Sequence, residues 1–140
     1  MIATQHPLRY FFGGFAVSAF EYVHIDANVI QDTNILSLHH DPSSFALYTP
    51  VKNHIISWDL LTGTVSNTLR NQTSGDITAF GVLLCSKLAV IGDSDGNLLI
   101  RKLENGVMVK RLHRHKTNIT YILVEEMKSQ KLIFSASYDG

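Results

Sequence analysis

A recurrence every 42 to 43 residues constrains this chain more than any other feature. A step of 43 carries Trp58 to Arg101, Gly63 to Gly106 and Leu69 to Leu112, and a step of 42 carries Ile35 to Ile77 and Ile77 to Ile119. Between these anchors, short apolar runs alternate with polar, turn-forming clusters. Runs of about five residues are too short to hold a helical period and have the length of strands. A unit that recurs at this interval is a supersecondary element that buries its apolar face against its neighbours.

In chain order, residues 1–33 are rich in aromatics (Tyr10, Phe11, Phe12, Phe15, Phe20), and Glu21 to Ile25 alternates as a half-buried strand does. Stepping back 43 from Trp58 reaches Phe15, so this segment can supply the last two strands of a preceding unit. Tyr10 to Phe20 also has the outline of a short secretory segment ending at Val17-Ser18-Ala19, but one formal charge ahead of it and Gly13-Gly14 within it favour a strand. From residue 34 the rhythm is regular. Ile35–Leu38, Phe45–Tyr48, His54–Trp58 and Val65–Leu69 are predicted as four strands. Ile77–Val82, Leu88–Ile91, Asn97–Lys102 and Val107–Leu112 repeat the set. Ile119–Val124 and Leu132–Ser137 open a third.

The 140 residues and 45% hydrophobic content support one core. Twelve basic residues balance twelve acidic ones, which argues against a nucleic-acid surface. The densest basic run, Lys110 to Lys116, reads as a solvated strand end and loop. No stretch has the length of a membrane span. The single cysteine, Cys85, lies among apolar neighbours and is expected as a buried thiol, in a chain that fits a reducing compartment or is indifferent to redox state. His39-His40-Asp41 is the close histidine cluster, but adjacent strand residues point to opposite faces and no second cysteine is present, so no metal is expected. Asp93 and Asp95 recur as in half a calcium loop, without the downstream glutamate. The chain has no nucleophile elbow and no phosphate-binding glycine loop, so neither a catalytic residue nor a cofactor is expected.

Four motifs in phase give the pattern a family likeness. Leu112-His113-Arg114-His115 ahead of Ile119 resembles the Leu-x-Gly-His lead of a WD repeat, with Arg114 in the glycine slot. Ser135-Ala136-Ser137-Tyr138-Asp139-Gly140 resembles its Ser-x-Ser-x-Asp-Gly turn, and Asp95-Gly96 repeats that turn one unit earlier. Trp58-Asp59-Leu60-Leu61-Thr62-Gly63 resembles the end of its third strand. The resemblance implies an all-β partial β-propeller of four-stranded antiparallel blades, over residues 34–140, with blades at about 35–69 and 77–112 and a partial blade at 119–140. It also implies a structural relay in the last blade of His115, Ser135 or Ser137, and Asp139, with Trp58 expected buried against the next blade. Gly96 and Gly140 are expected at positive φ in their hairpins.

The departures are equally specific. Gln72 takes the histidine position of the middle unit, Arg101-Lys102 replaces Trp-Asp, and Asn53 stands in a glycine slot. About two full blades are too few to close a ring, so the chain reads as a fragment of a longer propeller. The function implied is a non-enzymatic scaffold for other proteins or peptides within a multiprotein complex. It is expected to be intracellular and cytoplasmic, with ciliary or cytoskeletal association. Loop residues Lys52, Asn71, Asp93, His113 and Arg114 are the candidate contacts. An alternative likeness, from Asp59-Leu60-Leu61-Thr62-Gly63, is to quinoprotein-type propellers, either dehydrogenases or envelope assembly scaffolds; those carry a later tryptophan where Thr68, Leu69 and Arg70 stand here.

Overall fold

The structure is a computed structural model that describes residues 3–12, 15–25, 36–112 and 115–140. Strands β1 (Ala3–Phe12) and β2 (Phe15–Ile25) form an antiparallel hairpin with a bulge at Leu8/Arg9. A four-stranded sheet follows, of β3 (His39–Asp41), β4 (Ala46–Val51), β5 (His54–Asp59) and β6 (Thr64–Leu69). The second comprises β7 (Ile77–Leu83), β8 (Leu88–Asp93), β9 (Leu98–Lys102) and β10 (Met108–Arg111). A two-stranded sheet, β11 (Ile119–Glu126) with β12 (Lys131–Ser137), comes last. Each sheet is an antiparallel meander in sequence order, the arrangement of two propeller blades and the inner half of a third. Among the described residues no helix is long and apolar enough to cross a membrane.

Two cores lie between the blades. Tyr48, Ile55 and Leu69 of the first meet Phe80, Ala89, Ile91 and Leu99 of the second. On the other side Val90, Leu98 and Ile100 meet Ile119 and Ile122 of the third. The two faces of β8 therefore go to different cores, Ala89 and Ile91 to one and Val90 to the other. The two-residue period of a strand makes this division. A strand covered on both faces reads as an unbroken apolar run, which is why Leu88–Ile91 shows no alternation. In the third blade only one face is covered; Tyr121, Leu123 and Phe134 are exposed.

Three expectations are corrected. The first strand of the first blade is His39–Asp41, paired with Ala46–Tyr48, rather than Ile35–Leu38; Leu36 and Leu38 are exposed ahead of it, and Ile35 lies outside the described residues. Cys85 is exposed, because β7 ends at Leu83 and the cysteine falls in the turn. Trp58 is buried, but in a cluster with Leu47, Val51 and Ile56 on the face turned away from the second blade. Alternation along β5 decides this: Ile55 faces the second blade, so Ile56 and Trp58 face the other way.

Candidate functional site

The His-led relay is formed in the third blade. His115 enters from the loop before β11, with Nδ1 3.0 Å from Asp139 Oδ1 and Nε2 2.9 Å from Ser135 Oγ on β12. Asp139 Oδ2 accepts the Lys116 N–H at 2.6 Å, so one carboxylate holds both the histidine ring and the backbone of the next residue. That N–H bond is the main cause holding the Asp139 carboxyl below its ordinary range; burial opposes it, and the His115 and Ser137 bonds reinforce it. Ser137 Oγ lies 2.9 Å from Thr117 Oγ1 and accepts the Asp139 N–H at 3.4 Å. Gly140 follows the turn residues at φ 95°.

A serine, histidine and aspartate in this order also have the connectivity of a catalytic triad. The surroundings are different. Ser135 sits within β12, opposite Ile122 of β11, and not at a turn. The cavity of about 160 Å³ between the innermost strands is lined by Ser37, Thr78, Phe80 and Thr120 and includes none of the three. The relay ties a loop to a hairpin.

The tryptophan limb of such a relay occurs in the first blade. Trp58 Nε1 donates to Thr49 Oγ1 at 2.9 Å, and both residues are buried. Thr49 stands 42 residues before Ile91 and Ser135 a further 44 on, close to the period, so the repeat marks it as the partner, although the motifs do not. Asp59 faces the next turn, where Oδ1 accepts the Leu61 N–H at 2.8 Å and its carbonyl accepts the Gly63 N–H at 2.7 Å. Gly63 is there at φ 68°.

The middle blade has neither limb. Ile91 occupies the hydroxyl position; Gln72 and Arg101 converge on Gly106. Arg101 donates from a guanidinium nitrogen to the Gly106 carbonyl at 2.8 Å, and the Gln72 amide fills the space that a Gly106 side chain would take. Gln72 Oε1 and Arg101 Nε are buried without a partner. Asp95 accepts from Ser74 Oγ at 3.0 Å, a hydroxyl where the third blade uses histidine and a backbone amide. Gly96 is at φ 80°, and a Cβ there would collide with the His115 and Thr117 carbonyls.

Of the candidate contacts, Lys52 and Asn71 are exposed on neighbouring turns, joined where the Gln72 N–H meets the Asn53 carbonyl at 2.7 Å. The positive φ of the first turn falls on Lys52 (51°), one residue before the expected Asn53. Asp93 is not an exposed contact. It is fully buried, and its carboxylate accepts the Asp95 and Asn97 N–H groups and Asn97 Nδ2 at 2.8–3.0 Å. A short acceptor facing its own turn is drawn inward to satisfy those amides. His113 and Arg114 lie outside the described residues.

A set of straps at the opposite end has no sequence motif. The middle turn, Leu84–Lys87, is gripped from both sides. Lys87 Nζ pairs with Asp41 of the first blade, while Ser86 Oγ and the Cys85 N–H donate to Glu126 of the third. Burial alone would raise the Asp41 carboxyl, but bonds from Lys87, Ser43 and Ser44 outweigh it and hold the group far below its ordinary range. For Glu126 burial likewise raises, and the Ser86 and Cys85 bonds prevail to lower it. His39 lies edge-on to Phe80 at 5.1 Å, and burial lowers its pKa. Among the described residues no group of three potential metal ligands forms.

Solved structures with this arrangement include WD40 proteins. U3-55K superposes with a TM-score of 0.66 at 17% identity, over 78% of this chain and 35% of that one. The WD40 repeats of RRP9 give 0.64 at 18%, over 78% and 34%. The fold is thus that of a WD40-like propeller, in part. By sequence, the chain is 35% identical over 118 residues to Cilia- and flagella-associated protein 337 B of Tetrahymena thermophila. That match takes in 84% of this chain but 9% of the relative's length. No family model matches the chain.

Proposed function

We propose that this chain is a segment of a non-enzymatic WD-repeat scaffold that binds other proteins within a multiprotein assembly of the cilium or flagellum. In this reading residues 34–140 are propeller blades, and residues 1–33 hold the last strands of a preceding one. The observation that carries it is the 35% identity over 84% of the chain to a cilia- and flagella-associated protein. The hydrogen-bonded state of the polar relays supports it, because His115, Asp139 and Asp93 each serve a turn.

The test is to express the full-length protein with a fluorescent tag in a ciliated cell and to fractionate detergent-extracted cilia. Retention in the extracted cilia in a complex larger than the protein is expected. A protein confined to the cell body, or recovered there as a free monomer, would overturn the reading. A quinone absorbance in the purified protein would instead favour a quinoprotein-type propeller.

A further inference from the structure

We propose that the outer edge of the second blade, strand β10, takes an extended acidic segment of a partner protein as an added strand. The inference rests on the scaffold reading and gives it a partner chemistry. β10 ends the order β10-β9-β8-β7, so among the described residues one side of its backbone has no ladder partner. All four of its residues are exposed, as is Val107 before it; Val107, Met108 and Val109 are 54%, 42% and 49% exposed. A run of three exposed apolar residues on a sheet edge is what natural proteins usually avoid. The matching edge of the first blade, β6, shows the usual solution: its exposed residues are Thr64, Ser66 and Asn67.

Charge selects the occupant. Lys110 and Arg111 lie on β10 and exposed Lys102 at the end of β9, and none of the three forms an ion pair among the described residues. Half-buried Arg101 has its pKa lowered by burial and then by the charge of Arg111 beside it, so the positive charge here is uncompensated. A second copy meeting this edge antiparallel in a register centred on Lys110 or Arg111 would set these residues against like charges, which opposes that pairing. The bulge between Met108 and Lys110 further hinders two such edges from joining. An acidic segment meets neither charge obstacle. Main-chain bonds to the free edge would supply affinity, and contacts with the exposed side chains of Met108, Val109 and Lys110 would supply specificity.

The probe is an end-capped heptapeptide of alternating glutamate and valine, titrated into the full-length protein. Its controls are the lysine–valine counterpart and a glutamate–valine peptide N-methylated on alternate residues. Binding of the acidic peptide should weaken with salt and fall by about tenfold or more both with N-methylation and in the Lys110→Glu/Arg111→Glu variant. Equal binding of the N-methylated peptide, an unaffected variant or no binding of the acidic peptide would overturn the proposal. A doubled mass that the peptide does not reverse would assign the edge to a second copy and also overturn it. A variant that loses the peptide but still assembles in cilia leaves the scaffold reading standing; loss of ciliary assembly in the unsubstituted protein removes that reading itself.

Discussion

The second and third blades are held by different contacts among the described residues. The second has no histidine, no hydroxyl in the relay position and no tryptophan, but apolar residues cover both its faces; Ala89, Val90 and Ile91 are each 0% exposed. The third has the assembled His115–Ser135–Asp139 relay, yet one face is open and Phe134 is 53% exposed. The difference teaches that the relay is dispensable where packing is complete. Its hydrogen bonds fix a loop against a hairpin, and two buried faces fix the second blade without them. The first blade stands between these cases, with Trp58 and Thr49 bonded and Tyr48, Ile55 and Leu69 in the shared core.

The comparison would break most visibly at Ile91. Ile91→Ala removes buried volume from the core between the first two blades and is expected to cost about 2–5 kcal/mol. Phe134→Ala, at a ring 53% exposed among the described residues, should change the stability of this 140-residue chain by no more than about 0.5 kcal/mol. Denaturant midpoints of the two variants check this; equal losses would mean that the third blade depends on packing as the second does. Trp58→Ala should cost about 3–5 kcal/mol, because the ring is 1% exposed and also leaves Thr49 without its donor. Trp58→Phe keeps most of the volume and isolates the hydrogen bond, at about 1–3 kcal/mol.

The sequence carried the all-β class and its four-stranded antiparallel sheets, because turn signals are local. Gly96 shows why: a tight turn whose Cβ space is filled by the His115 and Thr117 carbonyls leaves a glycine at a fixed step. It did not carry the side to which Trp58 turns, since one residue of register decides that and the motif is the same either way. Nor did it mark Asp93 as buried. An aspartate in a polar turn reads as exposed until the inward-facing amides of Asp95 and Asn97 are known. The Asp41–Lys87 and Ser86–Glu126 straps were illegible for a further reason. Their partners are 46 and 40 residues apart and share no motif, and only the packing of neighbouring blades brings the turns together.

A sharper contrast comes from the histidine position. His115→Asn in the third blade severs links to Ser135 and Asp139 and should destabilise by about 1–3 kcal/mol. Gln72→Met in the second removes an amide whose Oε1 is buried and unpartnered, and its cost should stay within about 1 kcal/mol. Thermal unfolding of both variants ranks them. A greater loss from Gln72→Met would show that the middle blade relies on its polar pocket with Arg101 and Gly106, contrary to the packing argument.

The smallest effect concerns pH, and it separates the straps from the cores. Asp41, Glu126 and Asp139 all have folded pKa values below their ordinary ones. A carboxylate depressed in this way stabilises the fold fully above its unfolded pKa of about 4, and that contribution fades as pH falls toward the folded value. Stability should therefore be flat from neutral pH to about pH 5 on account of these groups and decline below about pH 4. Asp41→Asn weakens the pairing with Lys87 and should lower stability at neutral pH while making the acid decline shallower, the two curves approaching as pH drops. Parallel curves for the variant and the unsubstituted protein would mean that the strap between the first two blades does not couple protonation to folding. The apolar cores carry no proton and cannot bend either curve, so convergence of the two at acid pH isolates what the turn-to-turn straps add to the packing.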